Sequence, residues 1–156
     1  MENPIVEEGG LSERWGPQLL SVLRIVTALL FLEHGTSKIL LFPLSSASGP
    51  PMWSLLWVAG VIELLGGLPL LAGLLTRPTA LLLSGEMAIA YFMVHAARGP
   101  FPVLNGGESA VLFCFIFLYI AFEGPGPWSV DERFRRRRLA EGPATYYEGR
   151  HGAEPV

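Results

Sequence analysis

The chain has 156 residues, a formal net charge of −3, 51% hydrophobic residues and only 16% charged ones. A soluble domain of this length has too little interior to hide so much apolar surface, and the mean hydropathy of +0.43 points to lipid as the solvent. The single cysteine, Cys114, excludes an internal disulfide and a metal site built from cysteines alone.

Residues 1–10 are acidic, which argues against a cleaved secretory signal and makes the first apolar block a retained span. A membrane helix needs ~20 mostly apolar residues to cross ~30 Å of hydrocarbon. Four blocks meet this, at about 17–41, 52–75, 78–97 and 107–122. Pro78 suits a first helical turn, and Asn105 stands three residues before Glu108, as in a capping box. Gly99-Pro100-Phe101-Pro102 and Gly124-Pro125-Gly126-Pro127 break the chain on either side of the fourth block. Gly60, Gly66, Gly67 and Gly73 make the second block the close-packing one. The aromatic residues of the fourth block, Phe113, Phe115, Phe117, Tyr119 and Phe122, read as lipid contacts, and Trp53, Trp57 and Trp128 as an interfacial belt.

The expected fold is therefore all-α, a four-helix transmembrane bundle with short loops over 17–130. A short segment, 1–16, precedes it, and an arginine-rich polar tail, 131–156, follows it and is expected to be disordered. Arg14, Arg77, Arg133 and Arg135 to Arg138 fall on one side of these spans, against Arg98 and Lys38 on the other. The positive-inside rule then places both termini in the cytoplasm and the protein in the inner membrane. The arginine run reads as a topology anchor, with contact to anionic lipid as a compatible role.

Ionisable residues inside spans are costly, at about 2.5–3.5 kcal/mol each on insertion scales. Arg24, His34, Lys38, Glu63, Glu86, His95 and Glu108 are for this reason the candidate ligand-binding residues. Counted from the span ends, Arg24 and Glu86 lie at one depth, which predicts an ion pair between them. His34 and Lys38 share a helix face. With Glu63, His95 and Glu108 they are expected to form a polar pocket toward the other side. Such a pocket suits a quinone headgroup, whose carbonyl oxygens take hydrogen bonds from Lys, Arg or His. It equally suits a small anion or a proton relay. The two histidines and scattered carboxylates make a poor metal set, and no metal is assigned. The sequence carries no phosphate loop, nucleophile constellation or nucleic-acid patch.

Several of these residues also carry a resemblance. Arg24, Phe31, His34-Gly35 and Lys38 resemble the opening signature of the DoxX family. Glu63-Leu64-Leu65-Gly66-Gly67 and Gly73-Leu74-Leu75-Thr76-Arg77 resemble its second-helix signature. Glu86-Met87 to His95, and Gly124-x-Gly126 before Ser129-Val130-Asp131, fit the remainder. The resemblance implies a four-helix membrane bundle and a subunit associated with quinol oxidation, thiosulfate:quinone oxidoreduction or membrane redox defence. It implies no intrinsic cofactor, since haem, flavin and iron–sulfur motifs are absent, but a quinone as the expected ligand. Any enzymatic role would be that of a subunit of a quinone-linked oxidoreductase. The alternatives are a non-catalytic membrane scaffold or chaperone for a partner protein and, more remotely, a small transporter subunit working as a homo-oligomer. Membrane lipid and a membrane protein are the expected partners.

Overall fold

The computed structural model describes residues 10–43 and 48–141, and among these every regular element is helical. The helices are α1 (Leu11–Ile39), α2 (Leu55–Ala72), α3 (Thr76–Ala90), the four-residue α4 (Pro102–Asn105), α5 (Glu108–Glu123) and α6 (Val130–Ala140). A π-helical turn, Tyr91–His95, and a 3-10 turn, Ala96–Arg98, prolong α3. With that extension, three helices are long and apolar enough to cross a membrane: Leu11–Ile39, Leu55–Ala72 and Thr76–Arg98. α5 is equally apolar but has 16 residues, or about 24 Å of helix.

α1 packs along α2 and α3 along α5. Contacts between α2 and α3, and between α1 and α5, join the two pairs. Glycines set the approach of α1 to α2. A methyl group on Gly35 would fall 3.0 Å from the Leu64 amide nitrogen, and one on Gly67 would fall 2.6 Å from Leu32. Gly66 makes the same room for Leu83 of α3. The fully buried centre contains Ala28, Phe31, Leu70, Leu83, Phe117 and Ile120. Around it Leu29 and Leu30 of α1, Leu65 and Leu68 of α2, Leu81 and Leu82 of α3 and Phe115 and Phe122 of α5 point outward and are exposed. Apolar exposure on all sides is what a lipid-facing surface requires.

α5 corrects the reading of its aromatic residues. Ala110, Phe113, Phe117 and Ile120 recur at helical spacing and face the core, whereas Phe115, Tyr119 and Phe122 face outward. Phe31 meets Phe117 edge-on with ring centroids 4.8 Å apart, and Phe113 at 5.4 Å.

Three further expectations are revised. α1 begins at Leu11, with Gly10 as its N-cap, so Pro17 lies inside the helix. Asn105 is not part of a capping box: its Oδ1 accepts from the Gly107 amide and its Nδ2 donates to the Gly99 carbonyl, which closes the turn before α5. The segment 130–140 is helical where disorder was expected. The Ser129 hydroxyl caps α6 by accepting from the Glu132 amide, 3.2 Å away. Arg135 and then Arg136 donate to the Glu132 carboxylate and hold it down to about 2. The expectations for 1–9 and 142–156 lie outside the described residues.

The link between α2 and α3 is three residues long. Gly73 caps α2 in the left-handed region at φ 70°, and Leu75 follows at φ 49°. The Asp131 carboxylate accepts from the amides of Leu75 (2.9 Å) and Thr76 (2.8 Å), the first donors of α3, and so holds this turn. A side chain at Gly73 would strike Ser129 and come 3.0 Å from the Arg24 guanidinium carbon. Gly73→Ala is expected to lower stability by about 2–3 kcal/mol, from strain and contact together. Gly85→Ala, which meets nothing within 4 Å, is expected to stay within about 0.5 kcal/mol of wild type or gain helix stability. Thermal unfolding in detergent, followed by circular dichroism, compares them.

Candidate functional site

Two polar centres lie on one face of α1, separated by the Phe31–Phe113–Phe117 cluster. The first is Arg24, fully buried. Its guanidinium donates to four backbone carbonyls: Leu70 and Leu71 at the end of α2 (both 2.6 Å), Pro125 (2.9 Å) and Trp128 (2.6 Å). The last carbonyls of a helix lack intrahelical partners, so Arg24 satisfies α2 while fastening it to the segment after α5. The expected Arg24–Glu86 pair is absent, because the donors of Arg24 are already taken by these carbonyls. Arg77 plays a related part for α5, donating to the carbonyls of Ala121, Phe122 and Glu123.

The second centre lies beyond Phe31, toward the α1–α2 loop. There a cavity of about 900 Å³ opens between α1, α2, α3 and α5. His34, Lys38, Glu63, Glu86 and His95 line it. Arg24, about 15 Å from His34 along α1 by helical rise, does not. Glu108, the first residue of α5, is exposed and points away, and Ser109 and Ala110 take that place in the wall. Lys38 donates to Glu63 Oε1 in an ion pair in which Glu63 is only 2% exposed. Glu63 Oε2 and both carboxyl oxygens of Glu86 are shielded from solvent and have no hydrogen-bond partner. Two carboxyl groups and one ammonium thus share the cavity floor. Any molecule held there can accept a hydrogen bond from Lys38 and donate to the unsatisfied oxygens.

The histidines sit at its edges. His34 stands edge-on to Phe113, 5.7 Å between centroids, and His95 Nδ1 lies 3.2 Å from the Asn105 carbonyl oxygen. Arg98 also lines the cavity, a donor that the sequence reading treated only as a loop charge. Phe31 and Phe113 form its aromatic back. The remaining wall is apolar. Leu55 and Leu56 of α2 and Leu81, Leu82 and Ile89 of α3 line the cavity and are also exposed on the outer surface. The cleft therefore opens sideways, between α2 and α3, on the lipid-facing flank. Among the described residues no three His, Cys, Asp or Glu side chains come together as a metal-ligand set.

Arg24, His34, Lys38, Glu63, Glu86 and His95 all lie in one stretch that matches a known family. The family model described as DoxX matches residues 19–96. The chain belongs to the DoxX family. An uncharacterized protein of Haemophilus influenzae is 47% identical over 133 residues, covering 80% of this chain and 97% of its own. The inner membrane protein YqjF of Escherichia coli is 30% identical over 128 residues, covering 74% of this chain and 92% of its own. An uncharacterized membrane protein of Mycobacterium tuberculosis is 27% identical over 156 residues, covering 81% and 88%. No solved structure matches. With three helices fit to cross a bilayer and relatives named as membrane proteins, this DoxX chain is a membrane protein.

Proposed function

We propose that this DoxX protein binds a lipid-soluble ligand of quinone type in the α1–α2–α3–α5 cavity, as the membrane subunit of an oxidoreductase system. The observation that carries this reading is the floor of the cavity. Unsatisfied Glu63 and Glu86 oxygens lie beside the Lys38 ammonium, behind apolar walls that open toward lipid. Buried polar atoms without partners are costly; a quinone carbonyl accepts from Lys38, and the hydroxyls of the reduced quinol form donate to the unsatisfied carboxyl oxygens. The apolar flank between α2 and α3 suits the tail of a molecule that arrives from the bilayer and not from water.

In this reading α5 is the fourth span and completes a four-helix transmembrane bundle. The end with Arg14, Arg77 and α6 faces the cytoplasm, by the excess of arginine there, in the inner membrane. Redox chemistry would be done with a partner protein, because the chain carries no motif for a redox cofactor of its own.

The test is binding of a fluorescent ubiquinone analogue to purified protein in mild detergent. Wild type is expected to bind. Lys38→Ala is expected to weaken binding about tenfold or more, the worth of a charge-assisted hydrogen bond. His34→Ala and Glu86→Gln are expected to weaken it less. Equal affinity in all four proteins would remove the quinone from this cavity. A stoichiometric partner that copurifies regardless of these substitutions would then favour the scaffold role.

A further inference from the structure

The arginine-rich helix α6 lies outside the reading above. Its first turn is fixed to the end of the bundle. The Asp131 amide donates to the Gly73 carbonyl, the Asp131 carboxylate holds the α2–α3 turn, and Ser129 donates to the Gly126 carbonyl. α6 therefore starts at the level where α2 ends and α3 begins. Even Arg138 lies within about 12 Å of that level at the helical rise, about one and a half Debye lengths at physiological salt.

The two sides of α6 differ. Glu132 pairs with both Arg135 and Arg136, and the three line a groove against the bundle with Pro17 and Pro125. About 160° around the helix from Glu132 stands Phe134, 52% exposed. Arg133 and Arg137 flank it on one side and Arg138 on the other. All three arginines are exposed, and among the described residues none has an acidic partner. Trp15 and Trp128, both exposed, occupy the same end of the molecule. An apolar ring between unpaired guanidinium groups, beside exposed indoles at the end of membrane-crossing helices, is complementary to a phospholipid surface of negative charge. Guanidinium groups pair with phosphate oxygens, and aromatic rings settle at headgroup depth.

We propose that α6 is an interfacial helix that docks on anionic phospholipid through Arg133, Arg137 and Arg138, with Phe134 inserted among the headgroups. Its outer face binds phosphatidylglycerol-type lipid in preference to zwitterionic lipid. The inner face remains occupied by its own Glu132 pairs.

Native mass spectrometry of the full chain in mild detergent, titrated with phosphatidylglycerol or phosphatidylcholine, reads the preference. Wild type is expected to retain phosphatidylglycerol at least tenfold more tightly, less so in 0.5 M salt. The Arg133→Gln/Arg137→Gln/Arg138→Gln variant is expected to lose that preference. Inorganic phosphate at millimolar concentration is expected not to displace the lipid.

A second measurement keeps the arginines intact. A nitroxide on Phe134→Cys, in a Cys114→Ser background, is expected to meet oxygen more readily than a water-soluble nickel chelate in phosphatidylglycerol nanodiscs. The order should reverse in phosphatidylcholine. Undiminished phosphatidylglycerol retention by the triple variant overturns the proposal. So does a label exposed to water in both lipids, or displacement of lipid by an acidic soluble protein.

Discussion

Arg24→Ala is expected to destabilise this protein by about 4 kcal/mol or more, a large share of the stability of a small domain. The substitution removes one cation and its hydrogen bonds to four carbonyls, Leu70, Leu71, Pro125 and Trp128, of which Leu70 keeps the Gly73 amide as a partner. Hydrogen bonds to a charged donor contribute about 1.5–3 kcal/mol each. The sum is not additive, because water at the end of the bundle partly replaces them. Arg24→Lys is expected to fall nearly as far. An ammonium has three donors converging on one nitrogen, whereas the guanidinium distributes its donors over a planar fork that reaches two separate segments. The check is the yield of monodisperse protein and its melting transition in detergent. A melt of Arg24→Ala within 1 kcal/mol of wild type would mean that α2 and the segment after α5 are joined by something else.

The second large effect concerns the cavity floor. Lys38→Met is expected to cost about 3 kcal/mol, because it leaves the Glu63 carboxylate buried without its counter-ion. Glu63→Leu is expected to cost less, since Lys38 is partly exposed and its ammonium can reach water. The double variant Lys38→Met/Glu63→Leu is expected to recover most of the loss, since a well-packed apolar pair commonly replaces a buried ion pair without penalty. The resulting coupling, about 2 kcal/mol in a double-mutant cycle, is read from the four melting curves. Quinone-analogue binding should not recover with stability. If it does, the ion pair is a structural strut and the headgroup sits elsewhere.

How far the fold was legible varies with the physics of each part. The long apolar helices follow from hydropathy, and the glycines of α2 announce its close packing. Depth counting along the spans places residues by height but not by direction around the helix. It therefore set Arg24 opposite Glu86, whereas Lys38 and Glu63 are the pair that meets. Glu86 joins the cavity with His34, Lys38, Glu63 and His95, while Glu108 turns outward. The partners of Arg24 and Arg77 were invisible for a deeper reason: they are carbonyl oxygens, which every residue possesses. α6 was missed because an arginine-rich stretch offers no apolar stripe. Its signal was local instead, a Ser129-x-x-Glu132 capping pattern and the spacing of Glu132 three residues from Arg135 and four from Arg136.

The joint around Arg24 also orders events during biosynthesis. Its acceptors lie 46, 47, 101 and 104 residues further along the chain. The cation of α1 is thus made long before the groups that neutralise its burial. The α2 carbonyls become available once the second helix has emerged, but Pro125 and Trp128 follow only after α5. A ribosome releasing this chain in order leaves the guanidinium half-satisfied for about a third of translation, and the final clasp closes only after α5 has been made.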